Sequence, residues 1–202
     1  MQPEMPPLNA LVSRWKSLVA AHGSAELTVE ISRCGEVVLR RPGPWHRIAA
    51  TDVFCELATQ LGSRVAMSLP VANPAFGVLV PDIVWMSDAR WPEDIDAVEP
   101  LTVVPDVCVE VLDGCETDSV LPEDRVSDYL TGGVKEIILV EPNGTVRFWG
   151  QGGERTRSAF DIRLGFNSVF FRQCETSTVK HASSLSRRSP IAKDKSSLLR
   201  QS

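Results

Sequence analysis

The sequence predicts a mixed α/β (α+β) domain, and three observations carry that prediction. Stretches with apolar residues at helical spacing alternate along the chain with stretches of two-residue alternation. The run KEIILVE, residues 135–141, is continuously apolar between its charged ends, the pattern of a central buried strand. The turn PNGT follows it immediately and returns the chain through VRFWG, a strong hairpin signal. With 202 residues the chain is long enough for one domain with a substantial core, or one domain and a tail.

The elements follow in order. Residues 1–7 are proline-rich and read as a loose N-terminus, with the domain running over 8–176 and a disordered, basic, Ser-rich tail over 177–202. Leu8, Leu11, Val12, Trp15, Leu18 and Val19 recur at helical spacing and predict a helix over 8–21, ended near Gly23. ELTVEISRCGEVVLRRP reads as a hairpin around a Cys-Gly turn, carrying Glu30 and Glu36. HRIAATDVFCELATQLG is the best helix, striped by Ile48, Val53, Phe54, Leu57 and Leu61 and stopped at Gly62. RVAMSLPVANPAFGVLVPDIVWMS is extended, broken at Pro70 and Pro74, and ends in a strand that carries Asp82. DARWPEDIDAVEP is an acidic, proline-bounded loop or short helix that faces solvent. VVPDVCVEVLDG is a strand, DGCETDS a polar turn, and LPEDRVSDYLTGG a short helix with Pro122 near its first position and Gly132-Gly133 at its end. Beyond VRFWG, SAFDIRLGFNSVFF is expected to form a last strand and close the core.

Charge is uneven. Between 180 and 202, six lysines and arginines face only Asp194, so the tail carries about +5 and the rest about −10, for a net charge of −5. An acidic body does not advertise nucleic-acid binding. The five cysteines are scattered and make no C-x-x-C pair, so neither a zinc ribbon nor a disulfide framework is indicated. No apolar run approaches the roughly 20 residues of a membrane helix, and the proline-bearing start MQPEMPPLNA is unlike a signal peptide, so an intracellular protein without a membrane partner is expected.

The candidate site grows from the strand over 103–114. Alternation sends Val107, Val109 and Val111 to one face and Asp106, Cys108, Glu110 and Leu112 to the other. A carboxylate on such a strand costs several kcal/mol unless it is paired, hydrogen-bonded or bound to metal. Asp82 stands in a second apolar run after a proline and is expected to face Glu110. Arg125 and Tyr129, four apart on a helix, share a face. Bland readings stand beside these. Glu110 is alternatively a structural carboxylate paired with Arg125, Asp82 and Asp106 organisers of a turn or strand entry after a proline (the favoured reading for Asp106), and His46 a helix cap or packing residue. Trp85, Trp91 and Trp149 read as packing, and Lys135 is expected to point outward.

One order of motifs is specific: VEISRCGEVV, the helix opened at His46, VPDIVWMSDARW, VPDVCVEVLDG, DYLTGGVKEIILVEP and VRFWG. From about Leu27 to about Phe166 this resembles the putative restriction endonuclease family abundant in cyanobacteria, a branch of the PD-(D/E)XK nuclease superfamily. The resemblance implies a restriction endonuclease-like fold, a central mixed β-sheet flanked by helices, and a metal-dependent DNA endonuclease. It implies Asp82 and Glu110 as ligands of Mg²⁺ (or Mn²⁺), with Glu30 a further acidic residue of the family's hairpin. Leu112 stands where the superfamily usually has lysine, and Arg125 where this family has it, while Asp113 replaces a serine. Arginine keeps the charge but cannot act as a base. The alternative is a catalytically inactive binding or assembly module on the same fold. DNA is the implied partner, and a homodimer is left open because nucleases that cut both strands are commonly dimers.

Overall fold

Backbone pairing divides the strands into two sheets. The computed structural model describes residues 5–22, 27–94, 99–112 and 122–165. The elements are α1 (Leu8–His22), β1 (Thr28–Ser32), β2 (Val37–Arg40), α2 (Pro44–Leu61), β3 (Val65–Met67), β4 (Val71–Asn73) and β5 (Gly77–Leu79). They continue with β6 (Ile83–Trp85), β7 (Val107–Val111), α3 (Pro122–Thr131), β8 (Glu136–Val140), β9 (Val146–Gly150) and β10 (Gly153–Arg155). The larger sheet has the order β10-β9-β8-β7-β6-β3 and is mixed, because β7 and β8 run parallel while its other pairs are antiparallel. The parallel pair needs a crossover, and α3 lies in it. The smaller sheet, β2-β1-β5-β4, is wholly antiparallel.

Alternation on β7 assigns the two faces of the large sheet. Val107, Val109 and Val111 pack with Ala49, Ala50, Val53 and Leu57 of α2. Cys108 turns the other way, into a cluster with Val126 and Tyr129 of α3 and with Val71, Phe76 and Leu79 from the region of the small sheet. The small sheet in turn sends Val29, Ile31, Ala72 and Val78 against Leu11 and Trp15 of α1. Each fully buried aliphatic side chain here contributes about 1.5–3 kcal/mol of hydrophobic stabilisation. α2 begins where Gly43 takes an extended conformation before Pro44, and ends where the Gly62 N–H donates to Ala58 O at 3.0 Å.

The predicted helices and the central buried strand form as expected, and the mixed central sheet is flanked by helices. The extended stretch over 64–87 breaks at Pro70 and at the 74–76 turn as expected, and the breaks pass the chain from β3 in the large sheet to β4 and β5 in the small one. One reading is corrected. The segment 158–165 forms no strand; its Glu136 contacts and the buried Ile162 provide the closing contact, while 166–171 lies outside the described residues. The expected polar turn over 113–119, the expected helix stop near Gly23, residues 1–4 and the basic tail also lie outside the described residues.

Candidate active site

Register brings the two predicted carboxylates together. β6 and β7 pair Ile83 with Val109 in antiparallel sense, so one step further along Asp82 faces Glu110. Side chains so opposed share a face, with Cβ atoms about 5 Å apart. One oxygen of each is fixed by the fold. Asp82 Oδ2 accepts from the Val111 N–H at 2.7 Å and from His46 Nε2 at 3.1 Å. Glu110 Oε1 accepts from the Tyr129 hydroxyl at 2.6 Å. An ionised carboxylate only accepts, so His46 carries its proton on Nε2 and donates it.

Glu30 joins them from the small sheet. Val29 and Ile31 face α1, so alternation turns Glu30 inward, where it is buried and accepts the Val80 N–H at 2.7 Å. Arg125 clamps it with two hydrogen bonds, Nη1 to Oε2 at 2.9 Å and Nη2 to Oε1 at 2.7 Å. Arg125 Nε lies 2.8 Å from Glu110 Oε1, but its N–H does not point along that line, so the contact is ionic rather than a hydrogen bond. Its guanidinium also sits 5.5 Å from the Tyr129 ring centroid.

A second arginine enters from the rim. Arg40, at the end of β2, places Nη1 3.4 Å from Glu110 Oε2 and 3.8 Å from Glu30 Oε1, and Nη2 3.8 Å from Asp82 Oδ1. Among the described residues, Arg40 is the hydrogen-bonding or ionic partner of Asp82 Oδ1 and of Glu110 Oε2. The cluster thus sets three carboxyl groups against two guanidiniums, with His46 hydrogen-bonded to Asp82 beside them.

The titration behaviour follows. Burial pushes Glu30 up, but Arg125 and then Arg40 outweigh it and hold the carboxyl below its ordinary value. Burial also pushes Asp82 up, and the His46 hydrogen bond with the charge of Arg40 reverses the sign. Glu110 is raised: burial comes first, and repulsion from Asp82 and Glu30 adds to it against the pull of Arg125 and Arg40. Burial and the Glu110 charge push the Tyr129 hydroxyl well up, so it stays a donor.

Asp82 Oδ1 and Glu110 Oε2 both face the Arg40 guanidinium, and as hard oxygen donors they are of the kind Mg²⁺ takes, one or two carboxylates with water and phosphate completing its shell. Among the described residues no group of three or more His, Cys, Asp or Glu is disposed as a ready metal cage. A cleft of about 680 Å³, lined by Trp15, Val29, His46, Arg47, Met67 and Asp82, opens onto the Asp82 side of the cluster.

The sequence-predicted residues Asp82, Glu110, Arg125 and Tyr129 thus meet, with Glu30. Asp106 does not join them. It is buried at the start of β7, about 13 Å along the strand from Glu110. There it accepts from Ser87 N and Oγ at 2.7 Å and pairs with Lys135 at 2.6 Å, so Lys135 is no stand-in for a catalytic lysine. His46 is more than a packing residue, and Arg40 was not singled out. A signal for Arg40 existed: with Leu39 turned outward at 52% exposure, alternation puts Arg40 on the face shared with Glu30.

Comparison with known proteins agrees with this architecture. The family model Uma2, described as "Putative restriction endonuclease", matches residues 19–158, and the chain belongs to that family. Among solved structures, a "putative nuclease belonging to DUF820" from Anabaena variabilis superposes with a TM-score of 0.52 at 18% identity, over 65% of this chain and 83% of that one. The fold is that of the restriction endonuclease-like nucleases. Among curated proteins no match is found. Among the described residues no helix is long and apolar enough to cross a membrane.

Proposed function

We propose that this protein is a metal-dependent endonuclease that hydrolyses phosphodiester bonds in DNA, with Asp82 and Glu110 as the ligands of Mg²⁺ or Mn²⁺. The observation that carries the reading is that Asp82, one residue before the β6–β7 pairing, and Glu110 on β7 each turn one oxygen to the same Arg40 guanidinium. When bound there, a divalent cation supplies a water of lowered pKa and neutralises charge on the phosphoryl oxygens. The chain's own groups prepare this position. His46 and the Val111 N–H orient Asp82, and Tyr129 orients Glu110. Arg125, in the family's lysine position, stays charged and so contributes electrostatic stabilisation without taking a proton.

The test is nicking of supercoiled plasmid in Mg²⁺ or Mn²⁺. The wild type is expected to nick, and Asp82→Asn and Glu110→Gln to lose at least ~100-fold while still melting cooperatively. Nicking that survives both substitutions, or none in any divalent ion, would sink the reading.

A second reading, an inactive nuclease-fold module that binds without cutting, is favoured by one observation: both guanidiniums are spent on the carboxylates. It requires Arg125→Lys to create cleavage absent from the wild type. Equal cleavage by the two proteins rules it out.

A further inference from the structure

The two arginines of the cluster are not held alike. Arg125 makes charge-assisted hydrogen bonds of 2.7–2.9 Å to Glu30 and an ionic contact of 2.8 Å to Glu110, from a side chain 11% exposed. Arg40 stands at 3.4–3.8 Å from all three carboxylates, beyond the usual length of such bonds, from a side chain 20% exposed. Its guanidinium is shared among Glu30, Asp82 and Glu110 and makes a short bond to none.

We propose that Arg40 is an exchangeable internal cation, which occupies the divalent-metal position of the free protein and must leave Asp82 Oδ1 and Glu110 Oε2 before they can ligate a metal. This rests on the metal-site reading above. The geometry argues it in three steps. Of the three oxygens that Arg40 faces, Asp82 Oδ1 and Glu110 Oε2 have no other hydrogen-bonding or ionic partner among the described residues, whereas Glu30 Oε1 has two. Removing Arg40 leaves three carboxyl groups to one guanidinium, so its place calls for another cation. Arg40 is the last residue of β2, next to Arg41 and Pro42, and its side chain is already 20% exposed, which leaves it an edge toward solvent. Glu30, by contrast, is already satisfied by Arg125 and Val80 and does not depend on Arg40.

The test is Ca²⁺ binding to the full chain, read by calorimetry and by the shift in melting temperature, with no cleavage involved. Arg40→Gln is expected to bind Ca²⁺ at least ~10-fold more tightly than the wild type. It is also expected to melt lower than the wild type without divalent ion and to recover on adding Ca²⁺. Should Arg40→Gln fail to fold without the ion, Arg40→Lys carries the test. Its ammonium makes one-point contact and is strongly hydrated, so a smaller tightening of about 3-fold is expected. Equal affinity in wild type and variants overturns the exchange and leaves the metal site standing. Absence of Ca²⁺ binding in every variant overturns both.

Discussion

Asp106 and Glu110 stand four residues apart on the same face of one strand, yet their surroundings give them opposite behaviour. Asp106 gathers Lys135, two hydrogen bonds from Ser87, and Arg90 at 3.4 Å; these outweigh burial, and its carboxyl titrates below the ordinary value. Glu110 shares its surroundings with two other carboxylates, and its carboxyl titrates above. The sign for Asp106 is definite. A carboxyl depressed on folding stabilises the protein above its unfolded value, near 3.9, and loses that contribution as pH falls through the folded value. Asp106→Asn is therefore expected to cost about 2 kcal/mol at pH 7, with the gap to wild type closing below about pH 4. Urea titrations at pH 7 and at pH 3 measure it, and a gap that widens in acid would contradict this assignment.

Elements carry the site more than loops do. α3 delivers Arg125 and Tyr129 together because they are one turn apart, and its end is set by a close approach. A Cβ on Gly132 would lie 2.4 Å from the Phe76 ring. Gly132→Ala is thus expected to push α3 off the small-sheet region, costing about 1–3 kcal/mol and weakening Tyr129's hold on Glu110. Its melting temperature, set beside that of Gly152→Ala, where a Cβ meets nothing within 4 Å, measures the effect. Local patterning made most of these elements readable: helical spacing found α1 and α2, the Pro122 start and Gly132-Gly133 stop found α3, and apolar continuity found β8. It also marked Asp82 and Glu110, since a carboxylate inside an apolar run needs a partner wherever the run ends up. What it could not supply was long-range pairing. The strands β3 to β5 are three residues each, too short to reveal which sheet they join. Arg40 reaches Glu110 across 70 residues of sequence, a separation that no local period encodes.

At the scale of the molecule, two sheets meet over a buried charge cluster while their outer faces are sealed by α1 and α2. Such a cluster is an expensive way to build a core: burying each ion costs several kcal/mol, and apolar residues of similar volume often serve stability as well or better. Three buried acids and His46, with two arginines, between the two sheets therefore suit the proposed metal site better than a purely structural core. The acidic body places that work at a local site rather than over a broad basic surface. The most direct measurement is the anomalous scattering of crystals soaked in Mn²⁺. The account predicts one peak bonded to Asp82 Oδ1 and Glu110 Oε2 at roughly 2 Å, with the Arg40 guanidinium moved away. A cluster with Arg40 still between the two carboxylates and no peak at saturating Mn²⁺ would contradict it.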